Sequence, residues 1–183
     1  MLRNEHGHSL VELLIVVTIL GIAAAVAIPD ISTTHVSTLD LAAEKIAEAV
    51  RYARSEAQRT GNVHGVEINQ GTQRIVVYKA NLATTPVSIA SILYHPVSRQ
   101  SFDFNLDSST LTNGVRIINA DDPFLYASGR NTNLLFNATG VPIWIDNASA
   151  STYSLEDGAV ELTYGRHNRT VRVAQITGRV TVQ

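Results

Sequence analysis

A single acid, Glu12, stands near the start of an apolar run from Leu10 to Ile28. A carboxylate at the centre of a bilayer costs roughly 2.5–3.5 kcal/mol on insertion scales, so an acid in such a place points to a function. A second grouping is basic. Arg166, Arg169, Arg172 and Arg179 follow the last acid, Glu161, and make a local cationic patch in a chain whose net charge is −2. Cations in that density suit phosphate contacts with a steep salt dependence. If Thr177-Gly178 forms a two-residue turn, Arg172 and Arg179 fall on one sheet face.

Other chemistry-bearing residues form no pattern. His6 and His8 lie at the N-terminus; His35, His64, His95 and His167 are far apart, without metal-ligand spacing. Asp103 with Asp107, and Asp121 with Asp122, lack the Asp-x-Asp-x-Asp-Gly calcium pattern, and Asp121-Asp122-Pro123 reads as a turn. No Gly-x-Ser-x-Gly, phosphate-cradling loop or His-Glu-x-x-His occurs. With no cysteine, the chain has neither disulfides nor thiolate metal sites. The expectation is no catalytic residue, metal or cofactor.

The elements that position these residues follow from periodicity. Leu10–Ile28 is long enough, at ~1.5 Å per helical residue, to approach a bilayer core. Arg3 gives the preceding flank a slight positive excess, which sets the N-terminus in the cytoplasm. Ala25-Val26-Ala27 also offers an ordinary signal-peptidase site, the mark of a soluble exported protein. Pro29 kinks or breaks the helix. Asp30 to Thr34 is a poor helix interior. From Leu39, apolar residues recur at helical spacing through Ala43, Ile46, Val50, Ala53 and Ala57. Glu44, Lys45, Glu48, Arg51, Ser55, Glu56 and Arg59 occupy the other faces. Glu56 and Arg59 are spaced to pair. Thr60-Gly61-Asn62 stops the helix.

Alternation then replaces the helical period. Val63–Ile68 and Arg74–Lys79 read as a hairpin. Residues 80–101 read as a long loop or irregular strand pair. Phe102–Leu106 and Val115–Ile118 read as strands, and Ser128–Asn131 as a turn. Leu134–Phe136 and Val141–Ile145 form a second hairpin, with Pro142 at a strand start or edge. Asn147–Ser154 is a polar loop. Ala159–Tyr164, Thr170–Ile176 and Arg179–Val182 are antiparallel strands. The fold class is α+β.

Gly7-His8-Ser9-Leu10-Val11-Glu12-Leu13-Leu14-Ile15-Val16-Val17 resembles the processing signal of type IV pilins and type II secretion pseudopilins. The resemblance implies cleavage by a prepilin peptidase between Gly7 and His8 and methylation of the His8 amine. His8 departs from the phenylalanine or other apolar residue usual there. Glu12 becomes the fifth mature residue. In the family it pairs with a neighbouring subunit's amine and directs helix docking.

Leu41 to Arg59, with its Ala53-Arg54-Ser55-Glu56-Ala57 segment, is similar to the minor pseudopilin H of type II secretion and the related FimT minor pilins. Phe136-Asn137-Ala138-Thr139-Gly140 and Gly178-Arg179-Val180 match that branch too. The fold implied is pilin-like: a long N-terminal helix, transmembrane in its first half, packed on an antiparallel β-sheet domain. The domains implied are a leader at 1–7, a transmembrane assembly helix at 8–29, its periplasmic half at 30–61 and a β-rich domain at 62–183.

The function implied is a non-enzymatic minor pseudopilin at or near the tip of a periplasmic pseudopilus. It would be a single-pass protein of the bacterial inner membrane with its C-terminal domain in the periplasm. Its partners would be other pseudopilins or minor pilins, the prepilin peptidase and an inner-membrane assembly platform. A separate cytoplasmic ATPase would do the work, and no small-molecule substrate is implied. The alternative is a FimT-like type IV minor pilin in pilus assembly or DNA uptake. For DNA contact, Arg166, Arg169, Arg172 and Arg179 are the candidates. That group's Gly-Arg-x-Arg pattern is incomplete here, because Thr181 replaces the second arginine.

Overall fold

The computed structural model describes residues 9–26 and 31–183, with the side chains of 24–26 and 31–34 excepted. Two units are present, 1–34 and 35–183. In the first, helix α1 (Leu10–Val26) has 17 residues. That is about 26 Å at 1.5 Å per residue, against a hydrocarbon core of about 30 Å. Among the described residues, no helix is long and apolar enough to cross a membrane. Gly7, His8 and Pro29, with the features expected at them, lie outside the described residues.

Helix α2 (Ile31–Thr60) begins well before the strong apolar period at Leu39. The residues 31–34, read from sequence as unsuited to a helix interior, are helical. Low propensity at a few positions is a weak prior that a long helix overrides. The buried face of α2 is wider than the predicted stripe. Leu39, Ala42, Ala43, Ile46, Ala47, Ala49, Val50, Ala53 and Ala57 are all fully buried. Alanine side chains let a sheet come close enough to cover neighbouring rows at once. Glu56, read as a solvent-side residue, is also buried.

Unit 35–183 carries twelve strands. Eight run in the order β12-β11-β10-β9-β8-β1-β2-β3. They are β1 (His64–Asn69), β2 (Arg74–Asn81), β3 (Ser88–Ile92), β8 (Asn133–Phe136), β9 (Pro142–Asp146), β10 (Ser151–Tyr164), β11 (His167–Val173) and β12 (Val180–Val182). The short strands β4 (Asp103–Asn105), β5 (Arg116–Ile117), β6 (Phe124–Tyr126) and β7 (Gly129–Asn131) attach beside this path. All pairings are antiparallel. The predicted hairpin β1–β2 forms in the register Val66↔Val77. Pro142 opens β9, where its missing N–H breaks no ladder.

Strand β10 departs most from the sequence reading. Its first residues, Ser151–Ser154, were expected in a loop, yet they pair with β9. Its second half, Ala159–Tyr164, pairs with β11. Between these halves, β10 pairs with β6, and that ladder shifts register between Leu155 and Asp157. Gly129–Asn131, expected as a turn, is β7 and pairs with β6. The strand expected over Thr170–Ile176 ends at Val173. Within 80–101, Ser88–Ile92 adds to β2 as β3, and Tyr94 bridges Ser101.

Alternation sorts the strand residues. Val66, Ile68, Ile75, Val77, Leu134, Phe136, Val160, Leu162 and Val171 join the buried face of α2 in one apolar cluster. On the other face of β1, β2, β8 and β9, Tyr78, Ala80, Leu135 and Ile143 form a smaller one. The two tyrosines of these clusters meet at Asn133: Tyr78 Oη donates to Asn133 Oδ1 at 2.6 Å, and Tyr126 Oη donates to its carbonyl at 3.1 Å. Burial pushes both phenol pKa values up, so they remain donors.

Gly65, opposite Leu135 in the β1–β8 ladder, leaves no room for a side chain. A Cβ there would lie 2.6 Å from Leu135 Cδ2 and 3.0 Å from the Leu134 carbonyl oxygen. Gly65→Ala is expected to destabilise the domain by about 1–3 kcal/mol through overpacking against backbone. Urea unfolding at neutral pH measures this; an unchanged midpoint would show that β8 yields freely.

Candidate functional site: the apolar helix and the convergence on Arg54

In α1, Ser9 acts as the N-cap. Its Oγ accepts from the Val11 N–H at 3.3 Å, and its carbonyl accepts from Glu12 and Leu13 at 2.9 and 3.1 Å. Glu12 therefore falls in the first turn. The Ser9-x-x-Glu12 spacing is that of a capping box, and a carboxylate there also meets the favourable end of the helix dipole. Both effects place an acid locally without cost. Neither accounts for the remaining residues, which are apolar on every side. Leu10, Val11, Leu13, Leu14, Ile15, Val16, Val17, Ile19, Leu20 and Ile22 are each at least half exposed. Thr18, the other polar side chain, turns its hydroxyl to the Leu14 carbonyl at 2.7 Å. A helix that is apolar all round needs lipid or other helices around it.

The second feature is a convergence on α2. Arg54 Nε donates to the Gly140 carbonyl at 3.2 Å, and Gln58 Nε2 donates to the Thr139 carbonyl at 3.1 Å. The turn they grip is wound around Asn137. Its Oδ1 accepts from Thr139 N at 3.0 Å, Thr139 Oγ1 at 2.7 Å and Val141 N at 3.0 Å. Gly178, at φ +63°, closes the third side. A Cβ on it would lie 2.8 Å from Phe136, 2.9 Å from the Gly140 carbonyl oxygen and 3.2 Å from Arg54 Cδ. Gly140, at φ +78°, would bring a Cβ to 2.5 Å from Gln58 Nε2. Three separate motifs, Ala53–Ala57, Phe136–Gly140 and Gly178-Arg179, thus meet at one place. Sequence offered no reason for their co-occurrence. The reason is that Ala53 and Ala57 hold the sheet close, Arg54 and Gln58 reach across, and two glycines leave room.

Glu56 belongs to the same turn of helix. Arg59 donates to both its oxygens, at 2.9 and 2.6 Å, forming the pair expected from the spacing. The hydrogen bonds from Arg59 outweigh desolvation and hold the Glu56 pKa below its ordinary value. Nearby His64, also buried, has its pKa lowered mainly by burial.

The four C-terminal arginines are not on one surface. Arg169 shares a strand face with Val171 and Val173, toward α2, where its Nε reaches Asp40 at 2.6 Å. Arg172 lies on the opposite face and approaches Asp157 at 3.8 Å. Arg172 pairs across from Thr181, so Arg179, two residues before Thr181, shares its face. The turn between them is longer than the expected two residues: Ala174 and Arg179 are joined by a main-chain hydrogen bond of 2.9 Å, and Gly178 N donates to the Ala174 carbonyl at 2.9 Å. Arg166 is in the β10–β11 turn, roughly 20 Å along the strand from Arg172.

Several of the other candidates have structural partners. His35 stacks on Tyr164 with ring centroids 4.3 Å apart. His95 Nε2 meets Glu48 at 3.1 Å, and its Nδ1 lies at 3.2 Å from the Val97 and Ser98 N–H groups. Asp103 takes a two-pronged contact from Arg74, and Asp107 and Asp121 approach Arg116 and Arg130. Among the described residues, no group of three or more acids and histidines gathers as a metal site.

Two tests follow. Gly178→Ala forces a side chain into the left-handed region and against Phe136, at an expected cost of about 1–3 kcal/mol. The measurement is chemical denaturation, with Gly61→Ala, where a Cβ meets nothing, separating backbone strain from crowding. Glu56 predicts a pH dependence. Its folded pKa is lowered, so its stabilisation is full above the unfolded value of about 4.3 and is lost as pH falls through the folded one. The gap in urea midpoint between wild type and Glu56→Gln should therefore be largest at neutral pH and close in acid; a constant gap would contradict the pairing.

Residues 2–28 match the prokaryotic N-terminal methylation motif, and residues 42–178 match the type II transport protein GspH family. Among solved structures, the type IV minor pilin FimU of Pseudomonas aeruginosa is similar at 16% identity and a TM-score of 0.47, over 79% of this chain and 87% of that one. The minor pseudopilin EpsH from the type 2 secretion system of Vibrio cholerae is similar at 13% identity and a TM-score of 0.49, over 79% and 95%. No curated protein matches the chain. The GspH profile covers well over half of the sequence, from Ala42 through Gly178, and so includes Arg54, Gly140 and Gly178; the chain belongs to the type II transport protein GspH family, with an N-terminal methylation motif ahead of it.

Proposed function

We propose that this protein is a minor pseudopilin, built into a short periplasmic pseudopilus at or near its tip, and that it is a structural subunit rather than an enzyme. The observation that carries the reading is α1: a helix apolar on all sides whose one ionisable residue, Glu12, sits in the first turn. A prepilin peptidase hydrolyses the Gly7–His8 bond, and the new His8 amine is methylated. The amine is then four residues ahead of Glu12, the spacing of one helical turn. In an apolar surrounding each charge is costly alone, and removing one partner of a buried pair is more costly than burying neither. Pairing across subunits makes that cost a register rule, since only correctly staggered helices bring opposite charges together.

In this reading residues 1–7 are the leader, 8–29 anchor the chain in the inner membrane, 30–61 continue the helix outside it and 62–183 form the periplasmic domain. Other pseudopilins pack against α1, an inner-membrane platform receives the subunit, and a cytoplasmic ATPase supplies the work. A DNA-uptake role is favoured less. It asks the four arginines for a common surface, and Arg169 faces α2 while Arg172 faces away from it.

The test has two arms. The N-terminal mass of the protein from membranes should show loss of residues 1–7 and gain of one methyl group. Loss through Ala27 instead would mean an ordinary exported protein. Glu12→Ala should be cleaved normally yet enter filaments at a small fraction of the wild-type level; full incorporation would refute the pairing role.

A further inference from the structure

We propose that the groove beside β12 is a docking site for an acidic, extended segment of a partner protein. The groove has a volume of about 580 Å³, within the range of ligand-binding clefts. It lies where the break in β10 meets the β11–β12 turn, and Arg172, Arg179 and Thr181 line it together with Asp157 and Ile176. Its charge balance is positive. Arg172 reaches Asp157 only at 3.8 Å, which leaves most of its donor fork unused. The Arg179 guanidinium pairs with no carboxylate among the described residues, while its main chain is held by Thr177 Oγ1 at 3.3 Å and by Ala174. The turn is fixed by Gln175, whose Nε2 donates to the Glu156 carbonyl. Two guanidinium groups are thereby presented on one face, beside a turn held by main-chain hydrogen bonds.

The apolar side of the groove completes the match. Ile176 is 77% exposed at the crest of the turn, next to Ala174. A strand-like peptide with a carboxylate beside an aliphatic side chain can use both surfaces at once. Phosphodiester chains fit less well. They carry a charge every 3.4 Å per strand, whereas Arg166 is roughly 20 Å away, Arg169 faces α2, and Asp157 projects into the groove. The site uses no part of α1, so it stands or falls separately from the assembly-helix reading.

The experiment uses the full chain in detergent micelles. The probe is a fluorescein-labelled peptide of alternating glutamate and valine, compared with its glutamine counterpart and a single-stranded oligonucleotide. Fluorescence anisotropy should show the glutamate peptide binding about tenfold more tightly than the glutamine peptide at low ionic strength, with the difference shrinking in salt. Arg179→Glu should remove the difference, Arg179→Lys should keep most of it, and Arg166→Glu should leave it intact. In unmodified protein, the glutamate peptide should protect Arg172 and Arg179, but not Arg166, from phenylglyoxal. Equal binding of the two peptides overturns the proposal, as does absence of protection at Arg172 and Arg179. Protection of Arg166, Arg172 and Arg179 by the oligonucleotide alone would overturn it in favour of nucleic acid.

Discussion

The domain depends on how closely α2 approaches its sheet. Six alanines, with Leu39, Ile46 and Val50, are fully buried along one helix face. Each alanine contributes little area, so the stabilisation of about 25 cal/mol per Å² comes mostly from the larger residues they let in, such as Ile68, Phe136 and Leu162. The short distance also makes the polar contacts possible. Arg54 and Gln58, on the same turns of α2 as Ala53 and Ala57, reach main-chain carbonyls on the β8–β9 turn.

That contact explains why three separated motifs occur together. A larger residue at Ala53 or Ala57 would lift α2 and withdraw Arg54 from Gly140. A side chain at Gly140 or Gly178 would block the same contact from the sheet side. Each part is useful only with the others present. The ion pairs elsewhere on α2 are secondary: Asp40–Arg169 is part-buried and Glu44–Arg51 about half exposed, and pairs open to solvent contribute about 0–1 kcal/mol each.

The two units solve opposite problems. In 35–183, apolar residues alternate or recur at helical spacing and bury themselves within the unit. In α1 they point in every direction and stay exposed. A carboxylate is cheap at the capped start of that helix and costly if the helix is surrounded by apolar material. The chemistry of Glu12 is therefore decided by what surrounds α1.

Much was legible in the chain itself. The apolar period of α2, the stop at Gly61, the β1–β2 hairpin, the start of β9 at Pro142 and the Glu56–Arg59 pair follow from local spacing, because helical and strand periods and i,i+3 geometry act within a few residues. Glu12 and its apolar surroundings are equally local. Tertiary structure alone decided the rest. The polar residues Ser151–Ser154 become a strand because β9 offers an edge to pair with, and Glu56, on a face read as solvent-side, is buried. Arg169 and Arg172 part to opposite faces, while Arg54, Gly140 and Gly178 meet across 124 residues of sequence. Such choices rest on non-local pairing, and no local pattern encodes which distant segment will supply the partner.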